Sequence, residues 1–134
     1  MILNSPPPQV LEFKYTGEYV GVFAEVSEPR GLLHMPALDP PQVAVCSGGD
    51  GEVKFFSMDG AAMGNLTKGG LVPHDVSISR KDPNEIVVAY VRTDGKTRVR
   101  AECVPGQQCV QDVVDPCACV SVALHLQNII KIVS

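Results

Sequence analysis

The chain repeats itself with a period of about 44 residues, and this repetition limits its possible folds more than any other feature. Gly17 and Gly60 are 43 residues apart, and Gly51 and Gly95 are 44 residues apart. An alternating apolar stretch follows a proline in each unit, at Pro29, Pro73 and Pro116. Three successive units therefore share one layout, and the third unit is shorter.

Each unit consists of short segments with the two-residue alternation of β-strands. Strands are predicted for VLEFKY, YVGVFAEV, QVAVCS, EVKFFS, DVSIS, EIVVAYV and TRVRAEC, at 10–15, 19–26, 42–47, 52–57, 75–79, 85–91 and 97–103. The last stretch, CVSVALHLQNIIKIVS, is predicted to form two strands that break at Gln127-Asn128. Asp94-Gly95 lies between two alternating runs, which predicts a type I′ hairpin turn.

A period near 44 residues with about four short strands per unit is typical of a β-propeller blade. We therefore predict an all-β fold of tandem four-stranded antiparallel blades, forming a partial β-propeller. A small β-sandwich or barrel is the alternative. Residues 1–9 are expected to form an extended proline-rich arm, and residues 10–134 about three repeat units, at approximately 10–51, 52–95 and 96–134.

The segment EPRGLL…PPQVAVCSGGDGEVKFFSMDG resembles the NHL repeat of six-bladed propellers. Such repeats combine a P-x-G-hydrophobic segment, a strand like V-A-D, a Gly/Asn turn, a strand like R-V-x-x-F and a D-G pair. The matching residues are Pro29, Gly31, Leu32, Val43, Ala44, Val45, Gly48 to Gly51, Val53, Lys54, Phe56, Asp59 and Gly60. The second unit has His74-Asp75 in place of the Arg-Gly pair. Cys46 and Tyr90 stand where the family has an acidic residue.

The resemblance implies a six-bladed ring, whereas the chain holds only about three units. Blades bury their faces only against other blades, so the chain is expected to leave apolar sheet faces open. A protein partner or a second copy of the chain would cover them. The predicted function is therefore a non-enzymatic interaction module, or a subunit that scaffolds a larger assembly. The alternative is a metal-dependent hydrolase or lactonase of the six-bladed class, with a site completed by a second chain.

No catalytic residue and no cofactor site is predicted, because no nucleophile or nucleotide motif occurs. His74 and Asp75 are the candidates for a metal at the channel mouth, alongside His34 and His125; packing or surface histidines are the alternative. Lys96, Arg98 and Arg100 alternate along one strand and face the same way. This basic strip is predicted to bind an anionic partner, or to be an ordinary exposed face. Pro6, Pro7 and Pro8 are predicted to form an exposed polyproline arm suited to docking.

The chain has five cysteines: Cys46, Cys103, Cys109, Cys117 and Cys119. An odd number fits poorly with a complete disulfide framework, so buried or half-buried strand thiols are the favoured interpretation. A Cys103–Cys109 hairpin bridge, or a thiolate metal site with His125, are the alternatives.

Charge and hydropathy narrow the partners further. The net charge of −4 argues against nucleic-acid binding, which needs a basic footprint. No apolar stretch approaches the roughly 18 residues of a membrane span, and the start, MILNSPPPQV, lacks the basic and apolar regions of a signal peptide. An intracellular, cytoplasmic location is therefore expected.

Overall fold

The computed structural model describes residues 2–4 and 8–109, and these residues form ten β-strands and no helix. The strands are β1 (Ile2–Asn4), β2 (Gln9–Phe13), β3 (Tyr19–Glu25), β4 (Pro29–Met35), β5 (Gln42–Ser47), β6 (Glu52–Ser57), β7 (Ala62–Thr67), β8 (Leu71–Ile78), β9 (Glu85–Arg92) and β10 (Thr97–Cys103). The all-β prediction is confirmed. The final stretch, CVSVALHLQNIIKIVS, lies outside the described residues.

The strands form three separate antiparallel meanders in chain order. The first sheet contains β1–β3, the central sheet β4–β7 and the third sheet β8–β10. Four strands per unit are therefore seen in the central sheet, while the first and third sheets have three within the described ranges. The barrel alternative is wrong for this part of the chain, because the three sheets stay separate and do not join into a closed barrel.

The sheets change at the segments 26–28 and 68–70. The predicted unit boundary at 51/52 therefore lies in the β5–β6 hairpin, inside the central sheet. Near the start of the chain, Ile2–Asn4 of β1 pairs with Gln9–Leu11 of β2. Ile2–Asn4 therefore belongs to the first sheet and not to an arm. Pro8 is exposed, and its carbonyl oxygen accepts a hydrogen bond from the Val26 amide at 3.0 Å. Pro6 and Pro7 lie outside the described residues.

The inner strands of the central sheet are buried on both faces because the other two sheets pack against them. Along β5 the side chains alternate between the faces. Val43 and Val45 share an apolar cluster with Val10 of the first sheet. Ala44 and Cys46 belong to a second cluster, with Ile86, Val88 and Tyr90 of the third sheet. Complete burial of one such side chain contributes about 1.5–3 kcal/mol.

The inner strands of the central and third sheets lie close together at Gly31. A Cβ atom at this position would lie 2.9 Å from the Asp75 Cα and 3.1 Å from the His74 carbonyl oxygen. Both strands have a register shift just after a proline, between Pro29 and Leu32 in β4 and between Pro73 and Asp75 in β8. Pro29 is the first residue of β4, whereas β8 begins two residues before Pro73. The Arg-Gly pair of one unit and the His-Asp pair of the next therefore lie at corresponding places. Only glycine leaves room for this contact.

The type I′ prediction for Asp94-Gly95 is wrong. The Gly95 amide donates to the Arg92 carbonyl oxygen at 2.9 Å, and the Arg92 amide donates to the Lys96 carbonyl oxygen at 2.8 Å. Only Gly95 has a positive φ, of 83°, whereas a type I′ turn needs two such residues. The turn is therefore a three-residue hairpin loop, and the loops at Gly17 and Gly60 repeat its hydrogen-bond pattern, each with a φ of 91°.

Cys103 and Cys109 form a disulfide, with Cα atoms 5.8 Å apart. The free-thiol interpretation is therefore wrong for these two residues and holds for Cys46, which is buried and unpaired. The loop closed by the bridge is tied to the β8–β9 connection, because the Val104 amide donates to the Asn84 carbonyl oxygen at 2.9 Å. Cys117 and Cys119 lie outside the described residues.

Candidate interaction surfaces

The outer face of the first sheet carries apolar side chains that no other described sheet covers. Val10 points into the core and is fully buried, so its neighbour Leu11 points to the opposite side of β2. Leu11 is paired with Val22, and Phe13 with Tyr19, and directly paired residues share a face. We call these four residues the open face.

The exposure of the open face is high for apolar side chains. Val22 is 48% exposed and Tyr19 is 54% exposed, while Leu11 and Phe13 are half-buried. The rings of Phe13 and Tyr19 contact each other, with centroids 5.4 Å apart. Val20, beside a register shift of the β2–β3 pair, is also exposed. The open face is thus a contiguous apolar patch and not a set of scattered residues.

The far side of the third sheet is different. Val87 and Ala89 alternate with the core residues of β9 and therefore point away from the central sheet, yet each is only 2% exposed. Val99 packs against them. Of the two outward sheet faces in the described structure, only that of the first sheet is open.

A second surface is a polar groove of about 480 Å³ beside the β7–β8 turn. Its lining includes Gly69, Gly70 and Leu71, together with Arg92, Arg98 and Arg100. We call it the arginine groove. Two of the three residues of the predicted basic strip thus line it. Lys96 is exposed but lies outside the groove lining.

The arginines of the groove differ in their ionic partners. Arg92 forms an ion pair with Asp94 at 3.3 Å. Arg98 and Arg100 are exposed and form no ion pair with any residue in the described part of the chain. The register pairs Arg98 with Tyr90 and Arg100 with Val88, which places both on the face of the third sheet that packs on the central sheet.

Tyr90 lies on the same sheet face, with its hydroxyl buried and without a hydrogen-bond partner among the described residues. Burial raises the pKa of this hydroxyl, the negative charge of Glu102 raises it further, and Arg100 opposes both. Glu102 itself pairs with Lys68 at 3.3 Å. Arg100 therefore acts electrostatically on the Tyr90 hydroxyl. The Glu102 carboxylate pairs with Lys68 and not with Arg100.

His74 and Asp75, the candidate metal ligands, do not form a metal centre with other described residues. Asp75 is buried, and its Oδ1 accepts a hydrogen bond from the Val76 amide at 2.9 Å. No group of three His, Cys, Asp or Glu side chains within residues 8–109 is placed to share a metal ion. Burial raises the pKa of the nearby Cys46 thiol, as does the charge of Asp75, which disfavours the thiolate. His34 is half-buried in β4, and His125 lies outside the described residues.

Comparisons with known proteins add no further assignment. No protein-family model matches the chain, and no curated protein or solved structure is significantly similar to it. No helix of the described residues is long and apolar enough to cross a membrane.

Sequence reasoning missed two contributors to these surfaces. The predicted basic strip does not include Arg92, which ends β9 and donates its amide to the Lys96 carbonyl oxygen across the hairpin loop. Leu11, Phe13, Tyr19 and Val22 were recognised as strand residues, but no feature of one sheet's sequence says which of its faces a neighbour covers. The expected open sheet face could be predicted only in general terms.

Proposed function

We propose that the protein is a non-enzymatic, β-propeller-type interaction subunit, and that its open face docks a second copy of the same chain. The single observation that carries this proposal is the exposed apolar patch of Leu11, Phe13, Tyr19 and Val22 at the end of a stack of sheets. Successive antiparallel meanders in chain order support the proposal, because propeller blades are small sheets repeated along the chain.

The choice of a second copy follows from continuity with the contacts inside the chain. The molecule already stacks apolar sheet faces twice, and the open face continues that stack by one layer. Because only one of the two outward faces of the described sheets is open, two copies that join through it form a closed pair and do not grow further. Closed two-fold dimers are the commonest homo-oligomers.

The hydrolase alternative stays a prediction, and the described residues offer no group placed to hold a metal ion in its support. The NHL resemblance stays a prediction that rests on the residues quoted above. The cytoplasmic location also stays a prediction. Disulfides persist mainly in oxidising compartments and are rare in the cytosol, so the Cys103–Cys109 bridge argues for an oxidising one.

The test is sedimentation velocity of the full chain with one charged substitution on the open face. Val22→Glu places a carboxylate in the proposed interface, where its desolvation would oppose association. Wild type should sediment as a dimer and Val22→Glu as a monomer. The matched control is Met63→Glu, because Met63 is 42% exposed but lies on β7 of the central sheet; this variant should remain dimeric.

Circular dichroism of both variants would verify that each retains its β-sheet signal. A wild-type monomer at concentrations near 1 mM would contradict docking of a second copy. Equal dissociation by both substitutions would also contradict it, because the open face would then have no special role.

A further inference from the structure

The arginine groove concentrates positive charge that the described carboxylates neutralise only in part. The chain carries a net charge of −4, yet three guanidinium groups line one groove of about 480 Å³. Asp94 pairs with Arg92, and no described carboxylate pairs with Arg98 or Arg100. Like charges in one concavity repel one another, and a bound anion would remove that repulsion.

The β7–β8 turn also lines the groove, and its two glycines leave the backbone uncovered. The Leu71 amide donates to the Lys68 carbonyl oxygen at 3.1 Å, so Gly69 and Gly70 are the central residues of a tight turn. Gly70 has a φ of 74°, and a Cβ atom at either glycine would meet no atom within 4 Å. A ligand can therefore approach the main chain here without a side chain in the way.

The donor set selects the chemistry of the anion. A guanidinium presents a planar fork of N–H donors that matches carboxylate and phosphate oxygens, and it stays charged at all ordinary pH values. A carboxylate has one negative charge and two oxygens, which two arginines satisfy. A phosphoryl group carries up to two charges and three free oxygens, and so uses all three arginines. The groove volume is within the range of about 300–1,000 Å³ typical of small-ligand sites.

We infer that the arginine groove binds a phosphoryl group, held by Arg92, Arg98 and Arg100 against the Gly69–Gly70 turn. This site is separate from the open face and does not depend on the proposed dimer. A small phosphate compound and a phosphorylated side chain of another protein present the same chemistry, and the experiment distinguishes them.

The test is an NMR titration of the full-length chain with inorganic phosphate at constant ionic strength, following backbone amides and arginine Nε–H groups. Shift changes should concentrate at the Gly69–Gly70 turn and the three arginines. Arg98→Gln with Arg100→Gln should weaken binding at least tenfold. Lys96→Gln is the matched control, since it removes one positive charge just before β10 and outside the groove lining; it should change the affinity less than twofold.

Further variants test whether binding depends on the forked hydrogen-bond geometry of the arginines or only on their positive charge. Arg98→Lys with Arg100→Lys keeps both charges and loses both forks, so it should bind more weakly than wild type and more tightly than the glutamine pair. Asp94→Asn releases Arg92 and should tighten binding several-fold. Because all these side chains are exposed or half-buried, the variants should keep a dispersed wild-type-like spectrum.

Two results would overturn the inference. One is an equal loss of phosphate binding in Lys96→Gln and in the double glutamine variant. The other is acetate binding as tightly as phosphate. A phosphoserine tripeptide in place of phosphate identifies the source: tighter binding of the peptide indicates a phosphorylated protein, and equal or weaker binding indicates a small phosphate compound.

Discussion

At the scale of single residues, Gly31 is a position where a side chain would clash with the backbone of another sheet. Its missing side chain lets β4 lie against the backbone of β8, with a virtual Cβ only 2.9 Å from the Asp75 Cα. The nearest of the blocking atoms, the Asp75 Cα, is a main-chain atom of another sheet, so no rotamer change can relieve that clash. The close approach of β4 to β8 thus explains why this chain has glycine at the third position of its P-x-G segment.

We predict that Gly31→Ala lowers the free energy of unfolding by about 1–3 kcal/mol, because overpacking at a backbone contact forces the two sheets apart. Chemical denaturation followed by circular dichroism measures the change. Gly21→Ala is the matched control, since Gly21 is also in a strand but a Cβ there would meet no atom within 4 Å. Equal destabilisation by both substitutions would show that β4 and β8 are not in close contact.

At the scale of elements, a comparison of Gly17 and Gly60 distinguishes two causes of destabilisation. One is the strain of a side chain in a hairpin turn, and the other is a steric clash between two sheets. Both have a φ of 91° and close the same kind of three-residue loop. They differ in their surroundings, because a Cβ at Gly60 would lie 2.4 Å from the Phe23 carbonyl oxygen, whereas one at Gly17 would meet nothing within 4 Å.

Gly17→Ala is expected to cost about 1–2 kcal/mol, the penalty of a left-handed conformation for an L-residue. Gly60→Ala should cost at least 1 kcal/mol more than Gly17→Ala, because it adds a steric clash between β3 and the β6–β7 hairpin. Thermal or urea unfolding of the two variants gives the difference directly. Indistinguishable midpoints would mean that the first sheet does not lie against the central sheet at Phe23.

Sequence reasoning was most successful for elements whose pattern is local. Alternation and turn residues predicted β5, β6 and β10 to the residue, since both signals lie within a few positions of each strand. It was least successful where the outcome depends on distant residues. Whether Cys103 meets Cys109, and whether Arg92 joins Arg98 and Arg100, depends on hairpin geometry that residue type alone does not determine.

At the scale of the whole molecule, the described structure is a stack of three antiparallel sheets that is open at one end. The period of about 44 residues predicted successive antiparallel units, and the shortage of units for a complete ring predicted uncovered apolar surface. Which end is open depends on packing, because the first sheet exposes Val22 whereas the third sheet buries Val87. The open face and the arginine groove lie on different sheets and should act independently.

Amide hydrogen exchange, measured on the full chain at low and high protein concentration, tests this account most directly. Exchange is slowest in elements that open only on global unfolding. We predict that β5 exchanges most slowly at every concentration, because both of its faces are buried, and that Tyr19–Glu25 becomes more protected as concentration rises. Exchange in β5 as fast as in β3, or protection of Tyr19–Glu25 that does not change with concentration, would contradict a central sheet enclosed by two others with one face left to dock a second copy.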